Sequence, residues 1–160
     1  MVKKRTKTIV HASFIAALYV ILTYISAMFG LSSGVIQVRF SEMLTFLPIF
    51  TSAAIPGLFI GCLLSNILSG CVIWDVIFGS LATLIGAIFT YALRKHKYLS
   101  PIPPIISNTL IVPFVLRFAY GAPGSIPYFM LTVGLGEIIS CGILGMLLLK
   151  SLENYRNVLF

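Results

Sequence analysis

The chain has 160 residues, of which 59% are hydrophobic and 9% charged, with a mean hydropathy of +1.06. A water-soluble domain carries about a quarter charged residues, and a disordered chain is poor in apolar ones, so this composition excludes both. An all-α integral membrane protein, its apolar surface solvated by lipid, is what remains. Net charge is +7, from 11 Lys and Arg against 4 Asp and Glu. The positions of those charges argue against a nucleic-acid partner: Lys3, Lys4, Arg5 and Lys7, then Arg94, Lys95 and Lys97, then Lys150 and Arg156 all flank apolar runs. Basic flanks of this kind mark the cytoplasmic side of a membrane protein.

In chain order, the first apolar run, 8–29, follows the basic N-terminal cluster. It is too long for the apolar region of a signal peptide and ends without a small-residue cleavage site, so it reads as the first membrane span. Further helices are expected at 42–54, 57–70, 75–93, 102–118 and 127–149, forming a single membrane domain over 1–160. Residues 43–74 carry no charge, and Pro56-Gly57 supplies the break within them. Charge parity supports that break. With it, four spans separate the two large basic clusters, and all basic residues except Arg39 and Arg117 fall on the cytoplasmic side together with both termini. The second span is then short, ~20 Å of helix against a hydrocarbon core of ~30 Å. It is expected beside a thinned or water-penetrated region.

Cys62, Cys71 and Cys141 form no CxxC pair and lie in or beside apolar runs, which suits small buried residues rather than a disulfide or a metal site. Glu42, Asp75 and Glu137 are the acidic residues outside the C-terminal tail, and all three, with Arg39 and Arg117, are expected in the outer half of the membrane. Glu42 and Asp75 also suit helix starts, and Arg117 a helix end. Glu137 is different, because it lies ~14 Å into the last helix, where an ionisable group costs at least ~2.5 kcal/mol unless it faces a cavity or a partner. Asn108 reaches a similar depth on the fifth helix, and Asn66 lies shallower on the third; each suits a ligand contact or interhelical glue. Trp74 suits either an interface anchor or a stacking platform. Three carboxylates facing two arginines leave about −1, which welcomes a planar, nitrogen-rich neutral or cationic ligand, since a carboxylate accepts paired N–H bonds.

No P-loop, HExxH or GxSxG motif is present, and His11 and His96 flank the cytoplasmic face, so neither an enzyme nor a bound cofactor is indicated. Small residues recur four apart at Ala12/Ala16, Ser13/Ala17, Gly57/Gly61 and Ala82/Gly86, which lets helices approach closely.

The strings Gly34-Val-Ile-Gln-Val-Arg-Phe-Ser-Glu-Met-Leu, Leu47-Pro48, Ala54-Ile-Pro-Gly-Leu, Gly61-Cys-Leu-Leu-Ser-Asn66, Trp74-Asp-Val-Ile-Phe-Gly-Ser-Leu-Ala-Thr83 and Ser107-Asn108 resemble the QueT family over about residues 8–150. These are S-components, the substrate-binding subunits of energy-coupling factor (ECF) transporters. The resemblance implies a six-helix S-component fold in the cell membrane and import of a queuosine precursor, chiefly the deazaguanine prequeuosine (7-aminomethyl-7-deazaguanine). It also implies docking through an Ala-x-x-x-Ala motif, matched by Ala12 and Ala16, onto an ECF module of a membrane scaffold and two cytoplasmic ATPases. On that ligand, Glu137 suits the base edge and Asp75 or Glu42 the ammonium. Asn66, Asn108 and Gln37 suit the remaining polar contacts, Trp74 or a phenylalanine the ring face, and Arg39 the neutralisation of Glu42 or the bracing of the outer loop. An S-component for another vitamin or base, or a membrane scaffold subunit in which Glu137 and Asn108 face each other without a cavity, are the alternatives.

Overall fold

The computed structural model describes residues 2–32 and 36–154, with the side chains described from Arg5 onward. Gly34 and Val35 of the family-like string, and Arg156 of the basic tail, lie outside the described residues, as do the side chains of Lys3 and Lys4. The described chain is helical: α1 (Val2–Met28), a 3-10 helix (Phe40–Ile49), α2 (Ala54–Leu68), α3 (Ile73–Ala92) and α4 (Ile102–Phe118). A final rod follows, in which α5 (Ile126–Glu137) runs through a π-helical stretch (Ile138–Leu144) into α6 (Gly145–Glu153). Four of these, α1, α3, α4 and the last rod, are long and apolar enough to cross a membrane, and the 3-10 helix and α2 are shorter apolar helices. The protein is an all-α polytopic membrane protein of six helices.

The break between the second and third helices falls earlier than the sequence suggested. Residues 50–53 form the turn, and Pro56-Gly57 sits inside the first turn of α2, where proline costs no intrahelical hydrogen bond. Gly57 and Gly61 serve packing instead. A Cβ on Gly57 would lie 2.8 Å from the Ala12 carbonyl oxygen, and one on Gly61 2.7 Å from Tyr19 Cβ, so both glycines let α2 lie directly on α1. Gly30 and Gly70 end α1 and α2 at φ +70°, the left-handed conformation that closes a helix most cheaply when no Cβ is present.

The second helix differs in kind as well as in length. It winds as a 3-10 helix over 10 residues, ~20 Å at 2.0 Å per residue, where such runs rarely exceed four. Eight of its residues are buried, so it is the central pillar and the long helices wrap it. On one half of the bundle its Leu44, Phe46, Leu47 and Ile49 pack with Ile15 and Tyr19 of α1, Leu58 of α2 and Leu149 of α6 into the apolar core. Its other end carries Glu42 into the opposite half. Beside the core, Lys97 in the α3–α4 loop pairs with Glu153 at the end of α6 and ties the loop to the last rod.

Candidate functional site

The half of the bundle remote from the Arg94–Lys97 loop encloses one polar cavity of about 40 Å3. Gln37 and Arg39 enter it from the loop before the 3-10 helix and Glu42 from that helix's first turn. Asp75, Gly79 and Thr83 line it from α3, Asn108 and Val112 from α4, and Val133 and Glu137 from α5. Two buried serine hydroxyls hold the loop through its backbone. Arg39 N donates to Ser140 Oγ at 3.2 Å and Phe40 N to Ser26 Oγ at 2.7 Å. Gly136 leaves room for this backbone, since a Cβ there would collide with the Gln37 carbonyl.

Glu42, 3% exposed, accepts a hydrogen bond from the Tyr19 hydroxyl at Oε1, while its Oε2 is buried and has no partner among the described residues. A buried carboxylate oxygen left unpaired costs free energy that an incoming donor recovers. Oxygens of Glu42 and Glu137 and the Cys141 sulfur all lie within 4.8 Å of one another, and Cys141 Sγ stands 3.1 Å from Glu137 Oε2. The π stretch makes this meeting: it begins directly after Glu137 and contains Cys141, turning both toward the 3-10 helix. Asn108, 4% exposed, faces the Glu137 carboxyl from α4.

Asp75, 7% exposed, is held from the loop after α4, where Tyr120 donates to its Oδ2 at 2.8 Å. Burial and that bond push the Tyr120 phenol above its ordinary range, so it remains a donor at neutral pH. Gly79 keeps the wall of α3 open beside Asp75, because a Cβ there would lie 3.1 Å from Asp75 Oδ1 and 3.2 Å from Asn66 Nδ2. Arg39 is close enough to act electrostatically on both Glu42 and Asp75, but among the described residues it makes no ion-pair contact with either.

The structure therefore gathers Gln37, Arg39, Glu42, Asp75, Asn108 and Glu137 around one cavity. Asn66 stands just behind it, its amide 3.4 Å from the Asp75 carbonyl oxygen. Two expected members lie elsewhere. Arg117 is exposed and donates to the Ala122 carbonyl, so three carboxylates face one guanidinium and the formal balance is −2 rather than −1. Trp74, 55% exposed, stacks on Phe78 at 6.0 Å and lines an apolar groove rather than the polar cavity. Ala12 and Ala16 face α2 through the glycine contacts, with Ala16 buried, whereas Ser13 and Ala17 point outward. Cys141 departs from its expected apolar role by joining the carboxylates. Tyr19, Tyr120 and Cys141 escaped the sequence reading. Of these only Cys141 left a readable trace, its spacing of four from Glu137.

The family model described as QueT transporter matches residues 9–154. The chain belongs to the QueT transporter family. A curated protein of Lactococcus lactis subsp. cremoris (strain MG1363), named queuosine precursor transporter QueT, is 46% identical over 86 residues. That match covers 53% of this chain and spans 50% of the relative's length. No solved structure matches the chain.

Proposed function

We propose that this chain is the substrate-binding subunit of an ECF-type importer in the cell membrane, capturing a queuosine precursor, prequeuosine above all, at the outer face. The observation that carries this reading is the buried cluster of three carboxylates against one guanidinium in a member of the QueT transporter family. A deazaguanine with an ammonium arm matches it group by group. Glu137 accepts the paired N–H donors of the base edge, and Asn108, facing it, meets the neighbouring polar edge. The ammonium goes to Glu42, whose buried Oε2 lacks a partner among the described residues, rather than to Asp75, whose Oδ2 already accepts from Tyr120. Gln37 and Asn66 contribute amide contacts, and Arg39 keeps the acidic cluster from repelling itself.

As it stands, the cavity holds about three water molecules at ~10–15 Å3 each, so the base requires rearrangement. A second cavity of about 250 Å3, lined by Tyr128, Phe129 and Thr132, shares Gln37 and Val133 with the first. Swinging Gln37 aside joins the two and gives the ring an apolar, aromatic-walled berth.

In this reading the whole chain is one membrane domain, crosses six times and keeps both termini in the cytoplasm, with the Arg94–Lys97 loop on the same side. The chain binds and does not pump; a membrane scaffold and its ATPases drive release. Because α2 covers the Ala12/Ala16 face, the exposed face of α1 that carries Ser13, Phe14 and Ala17 is open to that scaffold. One observation favours the rival scaffold-subunit reading: Asn108 and Glu137 do face each other. The cavity that remains beside them, and the orphaned Glu42 oxygen, favour a ligand.

Calorimetric titration of the purified chain in detergent, with prequeuosine and with guanine, tests the reading. Saturable prequeuosine binding that weakens at least tenfold in guanine, which lacks the arm, is expected from the loss of a buried charged contact. No binding of either by a folded protein would overturn it. In the same assay Glu137→Gln is expected to weaken prequeuosine at least tenfold, and a change within about twofold would refute the base-edge role.

A further inference from the structure

On one wall of the polar cavity two carboxylates meet. Oxygens of Glu42 and Glu137 and the sulfur of Cys141 lie within 4.8 Å of one another, and among the described residues no cation makes an ion-pair contact with either carboxylate. Carboxylates brought this close away from water repel, and a cation held between them relieves both. The third group narrows the choice of cation. Cys141, 2% exposed, sets its sulfur 3.1 Å from Glu137 Oε2. In a tetrahedral site, bonds of ~2.0 Å to oxygen and ~2.3 Å to sulfur put two such ligands ~3.5 Å apart, so this pair is already near the spacing that one ion imposes. Glu42 brings an oxygen, Oε2, that is buried and has no partner among the described residues. Each donor is also backed by an outer contact of the kind that orients metal ligands. Tyr19 donates to Glu42 Oε1, Asn108 faces Glu137, and the Thr45 hydroxyl stands 3.4 Å from the Cys141 sulfur.

We infer that Glu42, Glu137 and Cys141 form a binding site for one thiophilic divalent cation of the zinc class. The sulfur selects against Mg2+ and Ca2+, which take oxygen ligands. On binding, the Cys141 S–H bond breaks as the sulfur–metal bond forms, and the proton leaves to water in the cavity; nothing is oxidised or reduced. Two carboxylates and a thiolate carry −3, and the ion together with the Arg39 guanidinium supplies +3, so the group closes at zero. The fourth position of the tetrahedron goes to water from the adjoining cavity of about 40 Å3. Glu42 and Glu137 are also the groups assigned to the base, so ion and base exclude one another. Only that consequence rests on the function proposed above; the ion site itself does not.

The test is titration of the untagged full chain, reduced and in detergent, with Co2+ as the spectroscopic probe. One equivalent of Co2+ is expected to raise a thiolate-to-cobalt charge-transfer band in the near ultraviolet, which an equivalent of Zn2+ removes and about a thousandfold excess of Mg2+ does not. Cys141→Ser is expected to abolish the band. Measured by competition with a chromogenic chelator, Zn2+ affinity is expected to fall about tenfold or more in Cys141→Ser and in Glu42→Gln. No band in the unaltered chain, a band that survives Cys141→Ser, or Zn2+ affinity within about twofold of the unaltered chain in Glu42→Gln would each overturn the proposal. Unchanged circular dichroism of both variants guards against loss of the fold, and the unaltered chain decides the matter if either fails to fold. No base is present in any arm, so failure here leaves the prequeuosine titration standing, and failure of that titration leaves the ion site standing.

Discussion

Tyr19 reaches from the first helix to a carboxylate that the rest of the bundle buries. Its hydroxyl satisfies Glu42 Oε1 while Oε2 stays orphaned, so Tyr19→Phe leaves the whole carboxylate unpaired in a low-dielectric interior. A cost of about 1–3 kcal/mol is expected, read as a lower thermal midpoint in detergent, and partial recovery is expected when Glu42→Gln is added. An unchanged midpoint would mean that water already serves this group. Tyr120 differs because it is partly exposed, so its bond to Asp75 adds less stability than a buried one. Tyr120→Phe is expected to leave the midpoint nearly unchanged and to weaken prequeuosine about fivefold, by freeing Asp75 to turn from the cavity. Equal affinity of the variant in calorimetry would limit Tyr120 to a surface role.

At the scale of elements, two departures from regular α-helix build the site. The 3-10 pillar exposes a different set of side chains on each third of its surface, which lets ten residues pack against several neighbours and still direct Glu42 into the polar half. The π stretch holds an extra residue per turn and so re-aims whatever precedes it. Deleting Ile139 restores α-helical phase and swings Glu137 by roughly 100° relative to α6. The variant is expected to insert and stay helical by circular dichroism yet lose ligand binding; retained binding would show that the π turn is dispensable. The α1–α2 seam is the third device. Gly61→Ala sets a Cβ against Tyr19 and Ala16, with an expected overpacking cost of about 1–3 kcal/mol by thermal melting. Because Tyr19 is the atom group displaced, the same variant is expected to weaken ligand binding at a distance.

For the molecule as a whole, the decisive property is which side each loop faces. The turn at 50–53, between the 3-10 helix and α2, lies on the cytoplasmic side only if those two short helices count as separate crossings. With Cys62, Cys71 and Cys141 replaced by alanine, Thr51→Cys and Tyr98→Cys are expected to label from the cytoplasm and Ser125→Cys from outside. Labelling of Thr51→Cys from outside alone would overturn the six-crossing topology. Ser13→Leu, on the exposed face of α1, is expected to leave ligand affinity unchanged while blocking co-purification with a scaffold subunit.

Much of this was legible in the residues because lipid is an unforgiving solvent. Apolar length placed most ends of the long helices closely: the 102–118 helix coincides with Ile102–Phe118, whereas the first begins at Val2, six residues before the apolar run expected to start it. The cost of a charge in hydrocarbon singled out Glu137, and the confinement of Glu42, Asp75 and Glu137 to one half foretold a common polar cavity. What hydropathy cannot carry is the rotation of each helix about its own axis. Arg117 and Trp74 have the right depth but point outward, Ala12/Ala16 and Ser13/Ala17 differ by a single residue yet face opposite ways, and the helix types of Phe40–Ile49 and Ile138–Leu144 leave no mark in composition. Depth is set by transfer free energy, which each residue brings with it. Facing, register and helix type are set by which neighbours pack where, and only the tertiary structure decides that.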